Sequence, residues 1–254
     1  MTPHPYLDGT VPIGFAHRGG AAVGDENTAA AFARAVALGY RYIETDTHAT
    51  SDGVAVVFHD DTLDRLLGRP GRTSDVTWAD VRSLRVGGAA VVPCLDEVLD
   101  AWPGIRFNID TKTDAAVAPT LDAVRRTTAE DRVLLASFSE RRLRGIRRAA
   151  GPRIATSLGM AGVAAVLARA WRTAPDGVVA VQVPPSSGPV RVVSAGFIRY
   201  AHKLGLRVHV WTIDEPDRIR YFLDLGVDGI MTDHIEVLRD VYLSRGLWNP
   251  SERP

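Results

Sequence analysis

The chain has 254 residues, 46% of them hydrophobic and 24% charged, with 30 basic and 30 acidic side chains and a net charge of zero. A typical domain takes ~150 residues, and a chain of this length buries roughly three quarters of its unfolded surface, so one large domain is expected. Zero net charge gives no field to hold a nucleic-acid backbone, no apolar run reaches the ~18 residues of a membrane span, and the lone Cys94 excludes an intramolecular disulfide.

Short apolar, β-branched runs alternate with helical patterns about every thirty residues, which is the rhythm of a parallel sheet. The spacing predicts strands at 12–16, 40–46, 105–111, 132–137, 153–157, 178–183, 206–212 and 227–232. Helices are predicted at 28–38, 115–127, 140–150, 162–171, 195–204, 215–225 and 235–245. Eight strands with intervening helices predict a single-domain α/β fold, a (β/α)8 TIM barrel over 11–245 between an N-terminal tail at 1–10 and a C-terminal tail at 246–254. No G-x-G-x-x-G follows the first strand, which disfavours a dinucleotide-binding sheet. The stretch 54–93 breaks the rhythm with an extra strand at 54–58, a Gly, Pro and Arg loop at 65–72 and a short helix at 78–84. It reads as a short excursion after the second strand, over the barrel mouth, with too little apolar content for a second core. The first residues show neither the basic segment nor the apolar run of a secretory signal, so a cytoplasmic protein is expected.

Such barrels carry their chemistry at the C-terminal ends of the strands. The first strand ends in Ala16-His17-Arg18-Gly19-Gly20, which sets a titratable imidazole and a forked cation beside two glycines that let a ligand approach the backbone. The second ends in Glu44-Thr45-Asp46, and strand alternation turns both carboxylates inward. Two buried carboxylates repel unless a cation neutralises them, and oxygen donors favour a hard ion such as Mg2+ or Ca2+; pairing with arginines is the alternative. The extra strand delivers His59-Asp60, so a second histidine stands near the first, and two histidines allow one to accept a proton while the other donates. His48 shares the parity of Asp46 but lies past the predicted strand end, and His209 sits a layer deeper as a core histidine. The third strand ends in Asn108-Ile109-Asp110-Thr111-Lys112, a third carboxylate and one of only two lysines in an arginine-dominated chain. Lys112 is placed to hold a phosphate or carboxylate as a point charge, or to pair with Asp110 alone. Trp211, near the end of the seventh strand, is a candidate pocket wall or a core residue.

Taken together, A-H-R-G at 16–19, E-N-T at 26–28, I-E-T-D at 43–46, V-V-F-H-D at 56–60 with Leu63 and Arg65, P-C-L-D-E-V-L at 93–99, N-I-D-T-K at 108–112, S-F at 137–138, V-W-T at 210–212 and G-V-D-G-I-M-T-D at 226–233 resemble the glycerophosphodiester phosphodiesterase family in its compact bacterial form. The resemblance implies metal-dependent hydrolysis of a glycerophosphodiester to sn-glycerol 3-phosphate and an alcohol. It implies His17 and His59 as the acid/base pair; the mechanism expected here takes His17 as base and His59 as acid, an order the resemblance does not fix. It also implies Glu44, Asp46 and Asp110 as ligands of one divalent cation, Mg2+ or Ca2+, with Arg18, Lys112 and Trp211 as substrate contacts. The expected partner is a small-molecule phosphodiester, with neither nucleic acid nor a membrane span. Two departures stand out: Asp110 replaces the family's usual Glu, and Thr47-His48 follows Asp46 where an apolar residue is usual. Related phospholipase D-type enzymes, acting on lysophospholipid or sphingomyelin, resemble this chain in the first, so headgroup release through a cyclic phosphate is an alternative. A noncatalytic barrel that binds a polyol phosphate is another, disfavoured by the intact histidine pair.

Overall fold

Eight parallel strands close on one another in the computed structural model, which describes residues 4–9, 11–88 and 90–248. They are β1 (Ile13–Ala16), β2 (Tyr42–Ala49), β3 (Arg106–Thr111), β4 (Val133–Ala136), β5 (Ala155–Ser157), β6 (Val178–Val183), β7 (Arg207–Val210) and β8 (Gly229–Thr232). Each pairs with its neighbours in sequence, and β8 and β2 both pair with β1, so the chain forms a (β/α)8 TIM barrel. A helix follows each strand: α1 (Ala29–Ala37), α2 (Leu95–Ala101), α3 (Val117–Arg126), α4 (Glu140–Ala150), α5 (Met160–Leu167), α6 (Ala195–Lys203), α7 (Pro216–Leu225) and α8 (Ile235–Ser244). No described helix is long and apolar enough to cross a membrane.

Alternation along the strands splits the core in two. Ile13, Phe15, Tyr42, Leu134, Ala136, Ala155, Ala180 and Met231 fill the barrel, while the outward residues pack against the helices. Tyr6 lies in the segment expected as an N-terminal tail, yet it is buried with its ring edge-on to Tyr42 at 5.5 Å, where it closes the lower end of the barrel. The rest of the two expected tails falls partly outside the described residues.

Four elements differ from the sequence reading. Helix α2 is not among the predicted helices, because seven residues are too few for a periodic signal. Its Leu95, Val98 and Leu99 are nonetheless buried at i, i+3, i+4 spacing, and the Cys94 N–H donates to Glu97 Oε2 at 3.3 Å. Strand β2 runs three residues past Asp46, because the extra strand Ala55–Val57 pairs antiparallel with Thr47, His48 and Ala49. Helix α5 starts two residues early, after the extended Gly159, and ends at Leu167, ahead of Arg169 in the left-handed region. The excursion buries a cluster of its own, with Val56, Phe58, Leu63, Val76, Val81, Val86 and Val92, larger than its composition implies but continuous with the barrel through β2.

His209 is the core histidine expected. It is fully buried beside the Phe15 ring at 4.8 Å, and its Nδ1 lies 3.3 Å from Gln182 Nε2. Its Nε2 has no partner, and burial pushes its pKa down to about 4 from 6.5. The folded form therefore binds this proton less readily than the unfolded chain. Stability is full above pH 6.5 and falls as the pH drops toward 4, by about 3 kcal/mol from this residue alone. Denaturant unfolding between pH 7 and pH 4 should show that loss, and His209→Gln should flatten the slope even where it lowers stability at pH 7. An equal slope in the variant would assign the loss to other groups.

Candidate active site

The C-terminal ends of β1, β2 and β3 open into a cavity of about 460 Å3 lined by His17, Arg18, Glu44, Asp46, His59, Asp110, Lys112 and Trp211, so every predicted site residue meets in one place. A hollow of about 730 Å3 at the opposite end, around Val11, Asp224 and Asp228, carries closed pairs instead. There Asp228 is bonded by His202 and Arg207, and Asp224 by Arg245.

β1 ends in a tight turn with Arg18 and Gly19 in the left-handed region, at φ 51° and 81°. A Cβ on Gly19 would meet Phe32 Cδ1 at 2.7 Å and Ala31 Cβ at 2.9 Å, so glycine is required there. The turn brings the Arg18 N–H to Glu44 Oε2 at 3.1 Å and sends the guanidinium to Glu26 at 2.9 Å and Asp46 at 3.3 Å. Burial opposes charge on Arg18, but Asp46, Glu44 and Glu26 outweigh it and hold its proton more tightly.

Register sets Asp46 directly beside Asp110. The Lys112 ammonium lies 2.7 Å from Asp46 Oδ1 and 2.7 Å from Asp110 Oδ2, so it bridges two carboxylates, and the private pair with Asp110 does not form. Asp46 Oδ2 also accepts from Asn27 Nδ2 at 2.9 Å, and Asn27 is held in turn by the Thr45 hydroxyl at 2.7 Å. Burial raises the proton affinity of Asp46, but Lys112 and Arg18 together bring it below the usual carboxylate range. The same two carboxylates raise that of Lys112 against its desolvation. Glu44 moves the other way, to about 7, first through burial and then through the charge of Asp46.

Asp110 Oδ1 is buried without a hydrogen-bond partner. An open buried oxygen, and a neighbouring carboxylate short of positive charge, are what a hard divalent cation satisfies, so Glu44, Asp46 and Asp110 fit Mg2+ or Ca2+ in donor chemistry. As they stand, no three His, Cys, Asp or Glu groups among the described residues converge as a metal cluster. Lys112 occupies the gap between two of the three.

Each histidine is oriented by a carboxylate. His17 Nδ1 meets Asp233 Oδ1 at 2.6 Å, while its Nε2 lies 3.6 Å from Glu44. His59 Nδ1 meets Asp60 Oδ1 at 2.7 Å. With Nδ1 donating outward, Nε2 is the nitrogen left for proton transfer. Burial lowers the proton affinity of His17, but Glu44 and then Asp233 outweigh it and raise it overall. Arg65, on a short helix of the excursion, donates to Asp60 Oδ2 at 2.6 Å and to both oxygens of Glu26 at 2.8 and 3.0 Å. The support of His59 is thereby tied to that of Arg18, and these bonds draw Asp60 down to about 2. His48 turns away, its Nε2 bonded to the His59 carbonyl at 3.1 Å. Trp211 meets Phe138 edge-on at 5.7 Å and walls the cavity.

The model of the Glycerophosphoryl diester phosphodiesterase family matches residues 17–237. The chain belongs to this family. A Mycobacterium tuberculosis relative named "Probable glycerophosphodiester phosphodiesterase 2" is 42% identical over 93% of each chain. The glycerophosphodiester phosphodiesterase of Caldanaerobacter subterraneus is 30% identical over 88% of this chain and 94% of its own. A crystal structure from Silicibacter pomeroyi superposes with a TM-score of 0.80 at 27% identity, over 96% of this chain and 98% of that one.

Within this family member, sequence reasoning assigned no role to Asp233, Asp60, Glu26 or Arg65. Glu26, Asp60, Arg65 and Asp233 all stood among the quoted motif positions, which was their only signal. Asp233 is separated from His17 by 216 positions, and only closure of the barrel between β8 and β1 brings them together. Arg65→Gln should lower kcat/KM on a glycerophosphodiester by about tenfold or more, since it frees the carboxylates that orient His59 and Arg18. Its melting temperature should stay near the parent's, because Arg65 is half exposed. Unchanged kinetics would show that the two supports are independent.

Proposed function

We propose that the chain hydrolyses glycerophosphodiesters to sn-glycerol 3-phosphate and an alcohol, using a divalent cation and a pair of histidines. The observation that carries this reading is that two histidines, each with a carboxylate on Nδ1, share one cavity with Arg18 and Lys112. A barrel that only bound a polyol phosphate would need the cations but not two oriented proton carriers.

In this reading the phosphate sits against Arg18 and Lys112, whose charges oppose the negative charge that grows on its oxygens in the transition state. His17 accepts the nucleophile's proton at Nε2. The imidazolium so formed is stabilised by Asp233 and Glu44, the same contacts that raise its proton affinity. His59, held by Asp60, gives a proton to the departing alkoxide. Glu44, Asp46 and Asp110 would hold the cation, which supplies further positive charge to the phosphate when bound. Trp211 and Phe138 close one wall of the cavity.

Incubation with glycerophosphocholine tests the reading directly: glycerol 3-phosphate and choline should appear, chelation should stop their release, and Mg2+ or Ca2+ should restore it. Full turnover after thorough metal removal would contradict the metal requirement, and choline phosphate as product would contradict the bond assigned. Lys112→Arg should cost more than tenfold in kcat/KM although it keeps the charge. A planar guanidinium on a longer stem cannot take the place of an ammonium 2.7 Å from two carboxylates. Near-parental activity in that variant would make Lys112 a structural charge.

A further inference from the structure

His17 takes its direction from Asp233, yet the Asp233 side chain has little of its own to hold it. Its carboxylate is 30% exposed at the mouth, and among the described residues its one hydrogen-bond partner is His17 Nδ1 at 2.6 Å. The direction of that carboxylate is therefore set by the backbone at the end of β8. Asp214, in the loop after β7, converges on this backbone without lining the cavity. Its Oδ1 accepts from the Asp233 N–H at 2.9 Å and from the Thr232 hydroxyl at 2.9 Å. The Thr232 Oγ accepts in turn from the His234 N–H at 3.1 Å, and Thr232 is fully buried. Both amides that flank the Asp233 Cα are thus tied to one carboxylate, the first directly and the second through a hydroxyl. Asp214 itself is placed by the same two strands: the Ile213 N–H donates to the Met231 carbonyl at 2.9 Å, which continues the bonding of β7 to β8 beyond Val210.

We propose that Asp214 is a positioning residue, which aims the Asp233 carboxylate at His17 Nδ1 by fixing the backbone from which Asp233 projects. The proposal rests on the phosphodiesterase reading above. An aspartate side chain turns about two torsions, and a displacement of about 1 Å in a group that orients a proton carrier can cost about a hundredfold in rate. A carboxylate near the start of α8 (Ile235–Ser244) also favours that helix through its charge, but such an effect needs no fixed partner. Two bonds at 2.9 Å to neighbouring residues are directional, and they end one residue from the imidazole they serve. The chain of support therefore runs from the end of β7 through the end of β8 to the end of β1, across the seam where the barrel closes. Neither Asp214 nor Thr232 meets the substrate, so the contribution falls on the proton transfer and not on the hold of Arg18 and Lys112 on the phosphate.

Kinetics on glycerophosphocholine with the full-length protein and Mg2+ test this through three features that a merely structural role would not produce. Asp214→Ala should lower kcat by about tenfold or more with KM within about twofold of the parent, because the phosphate contacts are untouched. Asp214→Asn keeps an acceptor oxygen at the same place and should return kcat to within about threefold. In an Asp233→Ala background, Asp214→Ala should cost less than about twofold more, since nothing is left for it to aim. Should Asp214→Ala fail to fold, the isosteric Thr232→Val carries the test, with a kcat loss of about threefold or more that vanishes in the same background. Nuclear magnetic resonance on protein labelled with 15N at histidine reads the geometry without turnover. The His17 Nδ1 proton, assigned by its absence in His17→Gln, should persist in Asp214→Asn and be lost to exchange with water in Asp214→Ala or Thr232→Val. Parental kcat in the folded variants, an equal loss with and without Asp233, or an Asn variant as damaged as the Ala one would each overturn the proposal, the last by making Asp214 a needed charge. If the parent turns over no phosphodiester, the functional reading fails, and the His17 resonance still decides whether Asp214 sets the Asp233 contact.

Discussion

Negative charge crowded at the ends of β2 and β3 is the constraint around which the barrel mouth is organised. Glu44, Asp46 and Asp110 are all buried, and like charges at that depth are costly unless cations accompany them. Lys112 answers two of them and Arg18 reaches Asp46, which leaves Glu44 with a raised proton affinity and Asp110 with an open oxygen. The result is a cavity with a residual demand for positive charge, directed at the place where an anionic substrate and a hard cation would meet.

The histidines extend the same economy of charge. Asp233 and Asp60 each fix one imidazole by its Nδ1, and Asp60 is itself held by Arg65, which also grips Glu26 beneath Arg18. A network of this kind sets the direction of a side chain more than it adds stability, since ion pairs at a partly exposed mouth contribute little to folding. It also explains why the excursion belongs to the site. The strand Ala55–Val57 prolongs β2, and together they carry His59 and Arg65 back over the mouth.

The barrel was legible in the sequence because its strands and most of its helices are long enough to repeat a period, and because strand ends carry the chemistry in this architecture. Glu44, Asp46, Asp110 and Lys112 follow from alternation alone, since two adjacent parallel strands in register must bring them together. Helix α2 was not legible because seven residues barely complete two turns. The partnership of His17 with Asp233 was not legible either, because it depends on how a closed sheet joins its first strand to its last. Lys112 shows the limit of local reading: beside its role as a point charge, adjacency offered a pair with Asp110 alone as the alternative, whereas the neighbouring strand gives it Asp46 as well.

The central claim is that His17 and His59 handle opposite protons. It is tested most directly by comparing glycerophosphocholine with the p-nitrophenyl ester of glycerol phosphate in the two alanine variants. Each variant should lose ~100 to 10,000-fold in kcat on glycerophosphocholine. The p-nitrophenolate leaves without a proton, so His59→Ala should recover most of its activity on the aryl ester and His17→Ala should not. Losses that do not depend on the leaving group in either variant would contradict the account, and recovery in His17→Ala alone would reverse the two roles.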